Sequence, residues 1–141
     1  MDIPPRAEAR AAPAESPFKG KTGVERIARA FLNSLAGLGD AWRHESAFRQ
    51  EVALATLLVP AAFLVPASGP ERALLVGSVL LVLVVELLNS SVEAAIDRIS
   101  LDRHSLSKRA KDLGSAAVLV ALVLLAAVWG LGLVLLPRAL A

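Results

Sequence analysis

Three long apolar runs dominate the chain. Residues 52–70 carry no charged side chain, residues 73–96 carry only Glu86 and Glu93, and residues 113–136 carry none. Each run is close to the roughly 20 residues that a helix needs to cross a bilayer. The apolar residues are continuous and do not alternate, which favours helices over a β-barrel. We predict three transmembrane helices at about 47–66, 71–96 and 112–136, with a loop over 97–111.

A different pattern precedes the first apolar run. Apolar residues recur at helical spacing between 22 and 43, and Thr22 with Glu25 matches a capping box. Arg26 and Arg29 share this segment with Trp42, a residue type that anchors helices at membrane interfaces. We predict an amphipathic surface helix over 22–43, with packing against a soluble partner as the alternative. Residues 1–20 contain several prolines and no apolar core, which predicts a disordered tail before a membrane domain over 21–141.

Composition and charge place the protein in a membrane and give it an orientation. The hydrophobic content is 55% and the mean hydropathy +0.59, both too high for an ordinary soluble domain. Eight of the 15 basic residues precede Val52 and five lie between the second and third runs, so the positive-inside rule predicts a cytoplasmic N-terminus. The basic residues flank the apolar runs, which favours lipid headgroups or nucleotide phosphates over nucleic acid as partners. The chain has no cysteine, which excludes thiolate chemistry.

One row of polar residues interrupts the second apolar run. At about 100° per residue, one stripe of a helix carries Glu86, Asn89, Ser90, Glu93 and Asp97. Glu86 would lie about 10 Å deeper along the helix than Glu93. The stripe would therefore connect the water boundary to membrane depth.

Such a row is costly in a bilayer, because each ionisable group there costs at least ~2.5 kcal/mol. Acids at this depth normally face a protein interior or a watery site where they function. The alternative is that they only join helices through hydrogen bonds. Two glutamates and an asparagine exceed what packing requires, so we predict an active or transport site. Three spans cannot cover such a polar face alone, which predicts a homo-oligomer.

Three sequence blocks resemble the prokaryotic diacylglycerol kinases. The blocks are ESAFRQE at 45–51, ELLNSSVEAAIDR at 86–98 and RAKDLGSAA at 109–117. They occur in the family's order and at similar separations, and the resemblance extends from about Thr22 to the end of the third span. It implies an all-α membrane enzyme of the bacterial inner membrane: a homotrimeric bundle of three transmembrane helices per chain plus the surface helix. Each site would be shared between neighbouring subunits.

The resemblance also implies the reaction and its residues. The enzyme would transfer the γ-phosphate of MgATP to diacylglycerol and produce phosphatidic acid, with Mg²⁺ as cofactor. Glu86 matches the catalytic glutamate, Asn89 would position the reacting groups, and the metal ligands would be Glu45 and Glu93. The implied ATP-binding residues are Arg26, Glu45, Glu93, Asp102, Arg103, His104, Lys111 and Asp112. The implied lipid-binding residues are Arg26, Ala47, Phe48, Arg49, Gln50, Glu51, Glu86 and Ser115.

Three other functions remain open from the residues alone. The same scaffold serves similar bacterial kinases that act on undecaprenol. A small proton-coupled transporter could use Glu86 as its carrier, although it would not need Glu93, Lys111 or Asp112. A structural membrane subunit would leave the polar stripe without a role.

Overall fold

The computed structural model describes residues 23–99 and 104–139, with side chains as far as Gly132. The described residues form four helices: α1 Val24–His44, α2 Ser46–Leu64, α3 Gly69–Ile99 and α4 Ser105–Ala139. The tail predicted over 1–20 lies outside the described residues, as do Asp102 and Arg103.

Helices α2, α3 and α4 are each long and apolar enough to cross a membrane, over Ser46–Leu64, Gly69–Ile99 and Ser105–Gly132. The prediction of an all-helical membrane protein with three spans and an N-terminal helix is therefore confirmed. The connection predicted over 97–111 differs, because α3 continues to Ile99 and α4 begins at Ser105. Hydropathy marks where the chain stops being apolar, whereas the helices continue through the charged residues beyond that point.

The described residues divide into two compact units, 23–36 and the residues from Gly37 onward. The first unit is part of α1. Its apolar residues Val24, Ile27 and Phe31 are exposed, and an ion pair of 2.9 Å joins Arg29 Nη2 to Glu25 Oε1 one turn away. This unit therefore presents an uncovered apolar surface along a helix.

In the second unit, α3 packs against both α2 and α4. The core consists of small and branched residues from all three helices: Ala55, Val79, Val82, Ala121 and Leu125. Small side chains let helices approach closely where no water is available to drive burial. A polar contact adds to this packing, since the Trp129 indole Nε1–H donates to the Leu75 carbonyl over 3.2 Å.

The turn between α2 and α3 satisfies its own helix ends. Ser68 precedes α3, and its N–H and hydroxyl both donate to Glu71 Oε2, at 2.7 and 2.6 Å, as in a capping box. Arg72 donates to the carbonyls of Ala62 and Ala67, at 3.2 and 3.1 Å, near the C-terminus of α2. These bonds fix the α2–α3 pair at the end opposite to the acids.

Replacing Trp129 by Phe should lower the free energy of unfolding in detergent by about 0.5–1 kcal/mol, because it removes one interhelical hydrogen bond and keeps an aromatic side chain. The other tryptophan, Trp42, is 51% exposed and provides a matched control. Trp42→Phe should leave the thermal midpoint unchanged. Equal losses in the two variants would contradict a specific bond between Trp129 and α3.

Candidate active site

The polar row of α3 continues the face that packs the core. The buried residues of α3 recur at helical spacing and lie on one face: Leu75, Ser78, Val79, Val82 and Glu86. The same spacing leads on to Asn89, Ser90 and Glu93, which are half-buried, and to Asp97, which is exposed. Only 4% of Glu86 is exposed. The row thus faces the neighbouring helices and becomes more accessible towards its Asp97 end.

Two further acids approach this row from α2 and the residue before it. Glu45 stands at the N-cap position of α2 in an extended conformation, but its side chain makes no capping hydrogen bond. Its carboxyl group lies close enough to Glu86 to repel it, as does that of Glu93. Glu51 is half-buried and also interacts electrostatically with Glu86. One chain therefore gathers three further carboxyl groups near that of Glu86.

Helix α4 contributes one basic residue to the row. Lys111 Nζ donates to Asp97 Oδ1 over 2.6 Å and also lies within electrostatic range of Glu93. The neighbouring Asp112 pairs within α4, with Lys108 Nζ at 2.5 Å. Since α4 begins at Ser105, Lys111 and Asp112 lie well inside the helix. The N-terminal end of the α4 dipole therefore does not assist these two residues, because that effect fades within the first turn.

Asn89 links the row to α4 through a close backbone approach. Its Nδ2 donates to Glu93 Oε1 over 3.1 Å. Its Oδ1 is enclosed and has no hydrogen-bond partner among the described residues. A Cβ at Gly114 would collide with that Oδ1. Glycine at 114 therefore lets α4 come close enough to hold the Asn89 amide against Glu93.

The structure adds two features that the sequence did not reveal, the pairing of Asp97 with Lys111 and the fit of Gly114 against Asn89. Asp97 belonged to the predicted stripe, but its partner lies 14 positions away on another helix. Gly114 lay within the third block of resemblance. The spacing of residues along one helix does not show which residues of another helix they contact.

The residues expected on the lipid side take different positions. Phe48 is buried, at 5% exposure, and belongs to the packing of α2. Arg49 donates to the carbonyls of Trp42 and Arg43, at 3.0 and 3.3 Å, and so holds the end of α1 to α2. Three other residues that were expected to contact the lipid are exposed: Ala47, Gln50 and Ser115.

The expected nucleotide residues outside the row are less gathered. His104 precedes α4, and its Nδ1 accepts from the Leu106 N–H over 3.2 Å, which is a helix-capping contact. Arg26 belongs to the first compact unit, and the acids belong to the second. Asp102 and Arg103 lie outside the described residues.

The donor set suits a hard cation that keeps other ligands. No three His, Asp or Glu side chains of the described residues come close enough together to hold a metal ion by themselves. Mg²⁺, however, is usually bound by one or two carboxylates together with water and substrate phosphates. Glu45 and Glu93 offer two carboxylates near Glu86, and the Asn89 Oδ1 is an enclosed oxygen with no donor among the described residues. The residues present therefore fit a magnesium ion that arrives with a phosphate compound.

Comparison with known proteins agrees with this chemistry. The sequence model of the prokaryotic diacylglycerol kinase family matches residues 32–133. The diacylglycerol kinase of Pseudomonas aeruginosa is 56% identical over 114 residues, which cover 81% of this chain and 93% of that protein. The Haemophilus influenzae enzyme is 47% identical over 109 residues, covering 77% and 92%. The Escherichia coli K12 enzyme is 47% identical over 108 residues, covering 77% and 88%. The chain belongs to the prokaryotic diacylglycerol kinase family.

Proposed function

We propose that this chain is a diacylglycerol kinase, which transfers the γ-phosphate of ATP to the free hydroxyl of diacylglycerol and releases phosphatidic acid and ADP. One observation carries the proposal: the core face of a membrane-spanning helix turns into a row of acids that ends beside an exposed lysine–aspartate pair. A lipid alcohol approaches such a row from the bilayer and a nucleotide approaches it from water. The relatives described above are all named diacylglycerol kinases.

Glu86 is the proposed general base. It is the most deeply buried member of the row, and we expect the lipid hydroxyl to reach its carboxylate from the bilayer side. It takes the hydroxyl proton while the hydroxyl oxygen bonds to the γ-phosphorus and the bond from that phosphorus to the β–γ bridging oxygen breaks. The electron pair of the broken bond leaves with ADP.

Glu45 and Glu93 are the proposed ligands of Mg²⁺, and the Asn89 side chain orients Glu93 through its hydrogen bond. A magnesium ion held by these carboxylates would neutralise part of the phosphate charge that builds up during the transfer. Lys111 supplies a point charge for the same phosphates, and Asp112 completes the proposed nucleotide contacts. These assignments follow from the oxygen-rich, negatively charged surroundings of Glu86.

The lipid is proposed to lie along exposed residues near the start of α2 and at Ser115 of α4, close to Glu51 and Glu86. Ala47, Gln50 and Ser115 are exposed and small or uncharged, which suits contact with a glycerol backbone. By the distribution of basic residues, this side faces the cytoplasm, and the membrane is the bacterial inner membrane. The amphipathic α1 then lies on the same membrane surface.

The assembly is proposed to be a homotrimer with sites shared between subunits. Large parts of the α2–α4 surface are exposed in the single chain, including the polar residues at the cytoplasmic end of α3. Exposed polar groups at membrane depth need a protein neighbour, and copies of the same chain can supply one.

The reaction is tested with purified protein in mixed micelles, with MgATP and either diacylglycerol or undecaprenol. Phosphorylated lipid should form with diacylglycerol, and Glu86→Gln should lower kcat by at least ~10³-fold, because the side chain keeps its shape and loses the base. Glu71→Gln, which changes an exposed glutamate at the other end of α3, is the matched control and should keep its activity. Preference for undecaprenol would mean that undecaprenol, and not diacylglycerol, is the substrate. Full activity of Glu86→Gln would exclude Glu86 as the base.

Gly114→Ala should lower kcat by about 10–100-fold, because the added methyl group displaces the Asn89 amide and misplaces Glu93. The amide is at the end of a side chain and can rotate away, so the protein should still fold, which thermal unfolding checks. Gly77→Ala is the matched control, because a Cβ at Gly77 meets nothing within 4 Å. Activity of Gly114→Ala equal to that of Gly77→Ala would contradict a role for the close approach.

Sharing of sites is tested by mixing two inactive variants, Glu86→Gln and Glu93→Gln, and reassembling them. If a site takes Glu86 from one subunit and Glu93 from its neighbour, some mixed sites contain both native residues and activity returns. Crosslinking or mass measurement confirms mixed assembly. Mixed oligomers without activity would mean that Glu86 and Glu93 of each site come from the same chain, in which they already lie close together.

A further inference from the structure

We propose that Asp97 is a positioning residue that holds the Lys111 ammonium away from Glu93, so that the Glu93 carboxylate has no hydrogen-bonded ammonium in the way of the metal ion and Lys111 stays available to the nucleotide. This inference rests on the proposed function. It assigns a task to a residue that neither metal binding nor proton transfer uses.

The geometry places one lysine within reach of two acids. Glu93 and Asp97 are one helical turn apart on the same face of α3. Lys111 comes from α4 and is within electrostatic range of both, yet its Nζ donates to Asp97 Oδ1, at 2.6 Å. The ammonium is therefore bound at the more exposed acid.

The two acids have partners of different charge. Glu93 accepts a hydrogen bond from the neutral amide of Asn89, at 3.1 Å, which orients the carboxylate without cancelling its charge. Asp97 takes the charged partner instead. This separation leaves the Glu93 carboxylate, near Glu86, without a direct hydrogen bond from the Lys111 ammonium, and a divalent cation is proposed to bind there.

Lys111 remains able to bind phosphate while it is held. An ammonium has three donors, and the bond to Asp97 uses one. The flexible four-carbon stem of a lysine loses much rotational freedom when its head is fixed, and Asp97 imposes that loss before the nucleotide arrives. Without Asp97, Glu93 is the acid left in range, and an ammonium there would compete with the metal.

A simpler role for the pair would be to clamp α3 to α4. The side chains of Lys111 and Asp97 are 37% and 48% exposed, and ion pairs so well solvated contribute little to stability. The clamp and the positioning role also differ in what they change. Loss of a clamp lowers the thermal midpoint, whereas loss of positioning raises the Mg²⁺ concentration that nucleotide binding requires.

The test measures binding of a non-hydrolysable ATP analogue to the full-length protein in micelles, by calorimetry over a series of Mg²⁺ concentrations. Asp97→Asn should raise the Mg²⁺ concentration for half-maximal binding by about tenfold, which is typical of losing a residue that orients a metal site. Asp97→Glu should restore most of the wild-type value. Thermal unfolding of each variant is recorded alongside.

Two double variants separate positioning from a general loss of negative charge. Asp97→Asn with Lys111→Met restores the net charge and removes the competing ammonium, so its Mg²⁺ requirement should return to the wild-type value even though the nucleotide binds more weakly. Asp97→Asn with Arg98→Gln restores the same net charge and keeps Lys111. Its Mg²⁺ requirement should stay raised.

Three results would overturn the inference: an unchanged Mg²⁺ requirement in Asp97→Asn with a lower thermal midpoint, tighter nucleotide binding in Asp97→Asn, or restoration by Arg98→Gln. The proposed function fails in a different way. Wild-type protein would then show no Mg²⁺-dependent nucleotide binding, or Glu86→Gln would keep its kinase activity.

Discussion

Repulsion among carboxyl groups is the constraint that shapes one end of this protein. Three acids lie near Glu86: Glu45, Glu51 and Glu93. Lys111 is within electrostatic range of Glu93 but is hydrogen-bonded to Asp97. Gathering like charges in a poorly solvated place is unfavourable unless a cation or a proton joins them. The packing of α3 against α2 and α4 elsewhere along the helices offsets this repulsion and holds the acids in place. Such a site suits the divalent cation and the phosphates that are proposed to bind there.

A single face of α3 meets both demands. Its first half contributes Leu75, Val79 and Val82 to an apolar core, and the same helical stripe then carries the acids. The change from packing to chemistry occurs without any change of direction in the backbone. Gly114 on α4 extends the close helix contact into the polar half, where a larger residue would push Asn89 aside.

The sequence predicted the parts of this arrangement that depend on periodicity and hydropathy. The three spans, the N-terminal helix and the shared stripe of Glu86, Asn89 and Glu93 follow from spacing alone. The helix ends at Ile99 and Ser105 did not, because the charged residues there are good helix formers outside the apolar runs. The partner of Lys111 and the neighbour of Gly114 were also beyond reach, since the register of α4 against α3 is set by packing along the whole interface.

Helix α4 is continuous and long enough to extend from one membrane surface to the other. Lys111 and Trp129 lie on one uninterrupted helix, about 27 Å apart at 1.5 Å per residue. Lys111 is hydrogen-bonded to Asp97 and Trp129 to the Leu75 carbonyl, so polar contacts between α4 and α3 occur at two widely separated levels of the helix pair. If a bound phosphate moved Lys111 along the helix axis, α4 would shift as a unit, and the hydrogen bond from the Trp129 indole to the Leu75 carbonyl would be stretched.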